Sequence, residues 1–325
     1  MARCCGPPPP PGRAPGNEAV TARILVIKLG ALGDFILALA PFQAIRRHHP
    51  DAAVTLLTTR PYESLARASG WFDDVWIDSR PQLWQVGGWW ALRQRLRSAG
   101  FDRVYDLQTS DRTGWYFRLF GSALPEWSGV APGCSHPHRN PARDSLHTAE
   151  RQGEQLAAAG ISPVPAPSLD WLDADVSEFV LPDRFVVIAP GGAAHRPDKR
   201  WPADRYATLA ARLVEKGLTP VIVGGPDEAA AAAAIRAGCP AAVSVVGRTS
   251  LLDIAGIARR AQAAVGNDTG PMHIAAAVGC PSLVLFSAAS DPALCGQRGP
   301  AVAYLRRSAL ADLAVDEVEA ALRLR

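Results

Sequence analysis

One carboxylate, Asp34, closes a glycine-containing segment that reads KLGALGD from Lys28 onward. Gly30 and Gly33 lack a Cβ atom, so the backbone there can turn tightly and approach a ligand closely. Spacing alone leaves two interpretations of Asp34. It is either the N-cap of a following helix, where aspartate contributes about 1 kcal/mol, or a general base that faces a cleft.

A second segment, from Pro190 to Pro202, reads PGGAAHRPDKRWP and has the composition of an anion-binding loop. Gly191 and Gly192 present backbone N–H groups to an anion, and Lys199 adds a positive charge. The alternative is an ordinary loop that exposes its basic residues to water. The residue types of this loop alone leave both interpretations open.

A third segment, GNDTGPMH, ends at His273 and combines a carboxylate with a predicted helix start. Thr269 or Gly270 is placed to cap the helix, and Pro271 suits its first turn. The free N–H groups of a helix start bind a diphosphate well, and His273 lies on the same turn. Alone, the segment indicates a capped helix with a core histidine. Beside another anion-binding loop, it favours phosphate binding.

Each of the three segments follows an apolar run of strand length and precedes a helical pattern. Such alternation along the whole chain predicts an α/β protein with parallel, doubly wound sheets. We expect two similar α/β domains joined by one linker, with a cleft between them and ligands beyond the carboxyl ends of the strands. The spacing also predicts one helix over 35–47 and a final helix near 315–324 that crosses back to the first domain.

The domain boundaries come from shifts in composition. We expect residues 1–21 to form a disordered Pro-rich tail, residues 22–165 the N-terminal domain, and residues 166–325 the C-terminal domain. The Pro-rich stretch 161–182 has the composition of a linker. Residues 125–145 lack periodicity and predict a long loop.

The composition narrows the classes of protein that fit. The chain has 34 Lys+Arg against 31 Asp+Glu, a formal net charge of +3, which predicts no nucleic-acid partner. No run of about 18 apolar residues is available to span a membrane, and the Pro-rich start is not a secretory signal. Six cysteines without CxxC spacing predict a reduced, cytoplasmic setting. We predict no metal site.

Tryptophan is concentrated in one stretch of the first half. Five of the nine tryptophans lie between residues 71 and 90, and three arginines follow at 93, 95 and 97. We favour core packing beside a solvated helix face. The alternative is a basic, aromatic surface that meets an anionic, lipid-linked acceptor at a membrane interface.

Taken together, the three segments resemble the ADP-heptose:lipopolysaccharide heptosyltransferases, glycosyltransferase family 9. The combination is K-x-G-x-x-G-D near the N-terminus, PGG…K-x-W-P in mid-chain and N-D-T-G-P-M-H near the C-terminus. Each motif alone is weak, whereas the three in this order are specific. The resemblance extends from about Arg23 to the C-terminus and implies a GT-B type fold of two Rossmann-like domains.

The resemblance implies a role for individual residues. Asp34 is the implied catalytic base, and Lys199 is the implied contact to the donor phosphates. The remaining implied donor-binding residues are Gly191, Gly192, Asp268, Thr269, Gly270 and His273, with Asp227 or Glu228 on the nucleoside, while Gly30 and Gly33 form the implied acceptor loop.

The resemblance also implies an activity and partners. The enzyme would be an inverting, metal-independent glycosyltransferase without a cofactor, moving heptose from ADP-heptose onto a lipopolysaccharide core or related surface glycan. Its partners would be the nucleotide-diphosphate sugar, a lipid-linked glycan acceptor and, peripherally, the inner membrane. The alternatives are the same fold with another nucleotide sugar, a non-catalytic paralogue that binds a nucleotide sugar, and a nucleotide-sugar epimerase, for which the sequence offers no additional set of carboxylates.

Overall fold

The computed structural model describes residues 21–192 and 196–325. The expected Pro-rich tail, apart from residue 21, and residues 193–195 of the mid-chain loop lie outside the described residues. The described chain contains two parallel sheets of six strands each. Both sheets place their six strands in the same spatial order, with the first and fourth strands of each half adjacent at the centre.

The first sheet has the order β3-β2-β1-β4-β5-β6 and lies between helices. Its strands are β1 (Arg23–Ile27), β2 (Ala53–Thr58), β3 (Asp74–Ile77), β4 (Arg103–Asp106), β5 (Glu126–Gly129) and β6 (His136–Pro137). Its helices are α1 (Leu32–Leu37), α2 (Leu39–His48), α3 (Glu63–Ala68), α4 (Val86–Ser98), α5 (Asp111–Leu119) and α6 (Thr148–Ala158).

The second sheet repeats this order as β12-β11-β10-β7-β8-β9. Its strands are β7 (Phe185–Ala189), β8 (Thr219–Ile222), β9 (Val243–Ser244), β10 (Ala263–Asn267), β11 (Ser282–Phe286) and β12 (Val302–Arg306). Its helices are α7 (Ala203–Glu215), α8 (Ala229–Gly238), α9 (Leu251–Arg260), α10 (Gly270–Ala277), α11 (Pro292–Cys295) and α12 (Val315–Ala321).

The sheet order determines where the three glycine-containing segments meet. The strand order reverses between β1 and β4 in one sheet and between β7 and β10 in the other. Loops that leave the carboxyl ends of such neighbouring strands diverge to opposite faces and open a crevice. The segment at Asp34 follows β1, and the other two segments follow β7 and β10, so all three lie at these crevices.

The expected long loop over 125–145 is wrong. It contains β5, which pairs in parallel with β4, and β6, which pairs with β5 through Ser128 and His136. Trp127 and Ser128 are fully buried in this strand. Strands of four and two residues are too short to show the alternation by which a strand is recognised.

The helix expected over 35–47 is divided into α1 and α2 at Ala38. Pro41 explains the break, because it has no N–H to donate to the carbonyl of Leu37 and interrupts the helical hydrogen-bond ladder. The consequence is a short α1 that carries Asp34 in its first turn.

The final helix does not cross back to the first domain. In α12, Val318 is fully buried in the core of the second half. Arg212 of α7 donates to Asp316 at 2.5 Å and to Glu319 at 2.8 Å. Packing on α7 therefore keeps α12 in the half from which it comes. Across the described ranges 21–192 and 196–325, no helix is both long and apolar enough to traverse a bilayer.

Candidate active site

Two adjoining cavities meet at α1. The first, of about 970 Å³, lies between the two halves of the chain, and the second, of about 950 Å³, lies at the carboxyl ends of the strands of the first sheet. Three residues line both cavities, namely Ala31, Asp34 and Tyr62. Asp34 therefore stands on the wall that separates two potential substrate sites.

Asp34 is not the N-cap of its helix. The N-cap position of α1 belongs to Ala31, and no side chain caps this helix. The Asp34 side chain is partly exposed and makes no hydrogen bond or ion pair with the rest of the described chain. A carboxylate that no structural contact occupies can accept a proton from a substrate hydroxyl.

The two glycines before Asp34 are required for different reasons. Gly30 has φ +137°, a conformation that side-chain-bearing residues rarely adopt. Gly33 has no room for a side chain, because a Cβ atom there would lie 2.6 Å from Nε2 of His273. Gly270 meets α1 in the same way, since its Cβ would lie 2.3 Å from Leu32. The first turns of α1 and α10 thus pack directly against each other, and both line the first cavity.

Lys199 and Asp268 form an ion pair inside the first cavity. The distance from Nζ to Oδ2 is 2.9 Å, and the side chains are only 13% and 9% exposed. Burial raises the pKa of Asp268, but the His273 ring, 3.8 Å away, and the hydrogen bond from Lys199 outweigh it and hold this pKa well below its usual range. Because the carboxylate stays ionised, it can position the Lys199 ammonium at the cavity wall.

The start of α10 supplies further polar groups. Thr269 occupies the N-cap position, although its hydroxyl makes no capping hydrogen bond. Within the described structure, three buried atoms around Asp268 have no hydrogen-bond partner, namely Oγ1 of Thr269, Nδ1 of His273 and Oε1 of Gln297. Buried polar atoms are normally paired. Two of these three residues, Thr269 and His273, line the first cavity together with the start of α10, whose free N–H groups favour an anion.

The two candidate nucleoside contacts, Asp227 and Glu228, lie in the turn after β8 and differ in their own contacts. Glu228 folds back into this turn and accepts a hydrogen bond from the N–H of Gly225 at 2.8 Å. Its carboxylate also fills the space beside Gly191, where a Cβ atom would lie 2.8 Å away. Asp227 is exposed, and its side chain makes no hydrogen bond or ion pair to described residues. Both residues line the first cavity.

Asn267 is a residue whose role sequence reasoning missed. It is fully buried at the end of β10, and its Oδ1 accepts hydrogen bonds from the Trp201 N–H and the Tyr206 hydroxyl. Its Nδ2 donates to the carbonyls of Pro190 and Gly191, both at 2.8 Å. The side chain therefore ties the loop after β7 to the residues that follow Lys199. The sequence signal that could have indicated this role is the position of Asn267 at the end of a predicted strand, directly before Asp268.

Tyr62 and Gln297 are two further residues that sequence reasoning missed. Tyr62 stacks on Phe35 at 4.9 Å between ring centroids and lines both cavities beside Asp34. Burial, followed by the charge of Asp34, raises its pKa. Gln297 donates to Oδ1 of Asp268 at 3.1 Å. Neither residue lies in a motif, so the sequence carried no signal for them.

Lys28, although part of the first motif, does not line either cavity. Its side chain is 3% exposed and donates to the carbonyl of Leu107 at 3.2 Å. Burial lowers its pKa, and the charges of Asp34 and Asp106 oppose this change. Lys28 is therefore an interior residue and is not placed to contact a phosphate in either cavity.

The structure brings most of the predicted site residues together. The first cavity is lined by Gly33, Asp34, Gly191, Gly192, Lys199, Asp227, Glu228, Asp268, Thr269, Gly270 and His273. Gly30 lines only the second cavity. Among residues 21–192 and 196–325, no group of three or more His, Cys, Asp or Glu side chains is arranged to hold a metal ion.

Comparisons with known proteins agree with this architecture. A family model described as glycosyltransferase family 9 (heptosyltransferase) matches residues 140–307. The chain is 28% identical over 304 residues to lipopolysaccharide heptosyltransferase 1 of Pseudomonas aeruginosa, which covers 87% of this chain and 83% of that protein.

Two solved structures share the fold. A glycosyl transferase family 9 protein from Veillonella parvula superposes with a TM-score of 0.78 at 20% identity, covering 92% of this chain and 95% of that one. The ADP-heptose lps heptosyltransferase II of E. coli gives a TM-score of 0.75 at 21% identity, covering 92% and 96%. The predicted fold class of two facing Rossmann-like domains is confirmed.

Proposed function

Since the chain belongs to glycosyltransferase family 9, the heptosyltransferase family, we propose that it transfers heptose from ADP-heptose to a lipopolysaccharide core or related surface glycan. One observation carries the proposal: Asp34, without a structural partner in the described chain, lines both cavities. A base in that position reaches the acceptor hydroxyl from one side and the donor sugar from the other.

The first cavity is the proposed donor site. The diphosphate lies at the start of α10, where the helix dipole and free N–H groups favour an anion. Lys199 and Arg196, which line the same cavity, add positive charge. The adenosine lies against the turn at Asp227 and Glu228. The likeness to the ADP-heptose lps heptosyltransferase II of E. coli supports this choice of donor.

The second cavity is the proposed acceptor site. Arg60, Arg80 and Arg112 line it together with Asp34. These guanidinium groups can bind phosphate or carboxylate groups of a glycan through paired hydrogen bonds, and the carboxylates of Asp34, Asp78 and Asp111 in the same cavity can accept from its hydroxyl groups. We accordingly assign residues 22–165 to the acceptor domain and residues 166–325 to the donor domain. We place the reaction on the cytoplasmic side of the inner membrane.

The proposed reaction is a single displacement. The acceptor oxygen attacks the anomeric carbon while Asp34 takes its proton, and the bond from that carbon to the diphosphate breaks with inversion. Negative charge grows on the leaving diphosphate, where Lys199 and the first turn of α10 stabilise it more than in the ground state. Protein groups supply this positive charge in the proposal, so it includes no metal ion.

The test is the Asp34→Asn variant, with the exposed carboxylate variant Asp51→Asn as matched control. We expect heptosyl transfer to fall about 10²–10⁴-fold, because a general base is lost. We expect ADP affinity to stay the same, since the amide keeps the shape of the side chain. Binding is measured by calorimetry with ADP and transfer by mass spectrometry of the glycan product.

Three results would contradict the proposal. Undiminished transfer by Asp34→Asn removes Asp34 as the base. Binding of UDP or GDP in place of ADP assigns the enzyme another donor. ADP-heptose binding without transfer to any lipopolysaccharide-core acceptor points to a non-catalytic binding protein.

A further inference from the structure

An apolar patch on the first half of the chain is exposed to water. It comprises Leu83, Trp84, Val86 and Trp90, which are 81%, 77%, 74% and 63% exposed. Helix α4, which carries two of them, buries only Leu96 fully. Trp71 and Trp76 are buried, so the expectation that the tryptophans of this stretch pack in the core is correct for these two and wrong for Trp84 and Trp90.

The patch is held in place by its own contacts. The indole N–H of Trp89 donates to the carbonyl of Gln82 at 3.0 Å, and the side chain of Gln85 accepts from the Gln82 N–H at 2.7 Å. Gly88 lies against Pro81, where a Cβ atom would be 2.8 Å away. The exposed rings therefore project from an ordered segment, and contiguous exposed apolar groups of this kind mark a binding surface.

The charged side chains of the segment that carries the patch are all positive. From residue 79 to residue 100 the chain has four arginines and no carboxylate. Arg93, Arg95 and Arg97 are exposed on α4. The neighbouring helix α5 adds Trp115, 52% exposed, with the Arg118 guanidinium 4.7 Å above its ring. Exposed tryptophans among arginines complement the interface of an anionic bilayer.

The patch adjoins the proposed acceptor cavity. Arg80, which lines that cavity, precedes Leu83 by three residues. Arg112 lines the same cavity and donates to the carbonyl of Pro81 at 3.2 Å. Its guanidinium lies 5.5 Å from the ring of Trp89. One continuous segment thus forms both the cavity wall and the patch.

We propose that the surface formed by Leu83, Trp84, Val86, Trp90 and Trp115 with Arg93, Arg97 and Arg118, here called the docking surface, binds the headgroup region of an anionic lipid bilayer. The tryptophans enter the boundary between headgroups and acyl chains, and the arginines contact lipid phosphates. This placement directs the acceptor cavity at glycans anchored in the same bilayer, a consequence that rests on the proposed function.

The test measures binding of the full chain to vesicles without donor or acceptor. The probes are phosphatidylcholine vesicles with and without phosphatidylglycerol, and bound protein is separated by sedimentation. We expect the protein to bind the anionic vesicles and to dissociate as salt rises. Combining Leu83→Ser, Trp84→Ser and Trp90→Ser should weaken binding about tenfold or more. Combining Arg93→Glu with Arg97→Glu should abolish the preference for phosphatidylglycerol.

Exposed residues of the other half provide matched controls. Val180→Ser with Leu324→Ser removes exposed apolar groups, and Arg236→Glu with Arg323→Glu reverses exposed charges. Both control pairs should bind vesicles as the unmodified protein does. All the substituted residues are exposed, so unchanged circular dichroism and thermal unfolding will show that the variants fold.

Each of three results would overturn the docking surface. One is the absence of wild-type binding to anionic vesicles, and another is equal binding by the substituted and control proteins. The third is a dimer in sedimentation velocity that the serine variant dissociates, which makes the patch a contact between two copies of the chain.

The docking proposal and the proposed function fail separately. If the protein does not bind vesicles but transfers heptose to a delipidated, soluble acceptor glycan, the docking surface is refuted and the proposed function stands. Vesicle binding without transfer of heptose from ADP-heptose keeps the docking surface and refutes the function.

Discussion

At the scale of single residues, the site depends on side chains that hold others in place. Lys199 faces the first cavity through its ion pair with Asp268, and Gln297 holds the second oxygen of that carboxylate. Asn267 uses all its hydrogen-bonding capacity on four groups from two segments. The hydrogen bonds of the Asn267 amide therefore hold the loop after β7, here called the donor loop, in its place beside the first cavity.

Asn267→Asp tests this role. The substitution keeps the acceptor toward Trp201 and Tyr206 but points a second oxygen at the carbonyls of Pro190 and Gly191. We expect a loss of roughly 2–4 kcal/mol in the free energy of unfolding, because a buried polar group loses its partners. Weaker ADP binding should accompany it, and urea unfolding with calorimetry measures both.

Tyr206→Phe is the graded control for Asn267→Asp. It removes a single hydrogen bond from Asn267 and should cost about 1 kcal/mol with little change in ADP affinity. If Asn267→Asp is no more harmful than Tyr206→Phe, the two carbonyl contacts do not order the donor loop.

At the scale of elements, α1 and α10 are short helices whose first turns meet. Their approach is possible because Gly33 and Gly270 have no side chains where His273 and Leu32 lie. The positions of the glycines were readable from the sequence, but their partners were not. A glycine in a sequence indicates either an unusual backbone conformation or a close contact with another part of the chain. Only the packed helices show which residue makes that contact.

In the segment that leads to the second sheet, Val180 has a left-handed backbone conformation that is unfavourable for valine. Val180, which follows the 3-10 helix Ser177–Phe179, has φ 48° and ψ 55° and is 85% exposed. Left-handed backbone costs an L-residue about 1–2 kcal/mol, and a β-branched side chain is particularly unfavourable there. Val180→Gly should therefore raise the free energy of unfolding by about 0.5–1 kcal/mol in urea titrations.

Val130→Gly is the matched control for Val180→Gly. Val130 is partly exposed, at 38%, and its φ is not positive. Glycine at this position only increases the conformational entropy of the unfolded chain, so the free energy of unfolding should fall by up to about 1 kcal/mol. Equal losses from both substitutions would show that the backbone at Val180 stores no strain.

At the scale of the whole molecule, a buried histidine joins the two halves. His147 donates from Nε2 to the carbonyl of Gly296 at 2.9 Å, while its Nδ1 accepts from the Ala149 N–H at 3.1 Å. Gly296 precedes Gln297, which donates to Asp268 in the first cavity. The contact between the halves is thus continuous with the donor site.

The two hydrogen bonds of His147 require a neutral ring. Burial, the largest cause, lowers the pKa of His147. The hydrogen bond to Gly296 opposes this change, and the positive charge of Arg298 lowers the pKa further. The unfolded chain, with a histidine pKa of about 6.5, therefore binds a proton before the folded protein does. Stability from this contact is fully present above that value and declines as the pH falls below it.

His147→Ala should consequently cost about 1–3 kcal/mol of unfolding free energy at pH 8, because it removes a buried contact between the halves. The cost should shrink at pH 5.5. His147→Gln, which can still donate to Gly296 but does not titrate, should reduce the pH dependence of the free energy of unfolding. Urea unfolding at both pH values checks this, with the exposed His48→Gln as control. A cost of His147→Ala that is the same at both pH values would refute the proton linkage.

The sequence by itself determined the α/β alternation, the three motifs and their positions after strands, because these features depend on neighbouring residues along the chain. The tertiary structure decided what required distant partners. Lys199 and Asp268 are 69 residues apart and meet because the strand order places β7 beside β10. The exposure of Trp84 and the position of Asp34 between two cavities likewise depend on which surfaces remain uncovered after the sheets and helices pack. No local pattern of residues predicts those surfaces.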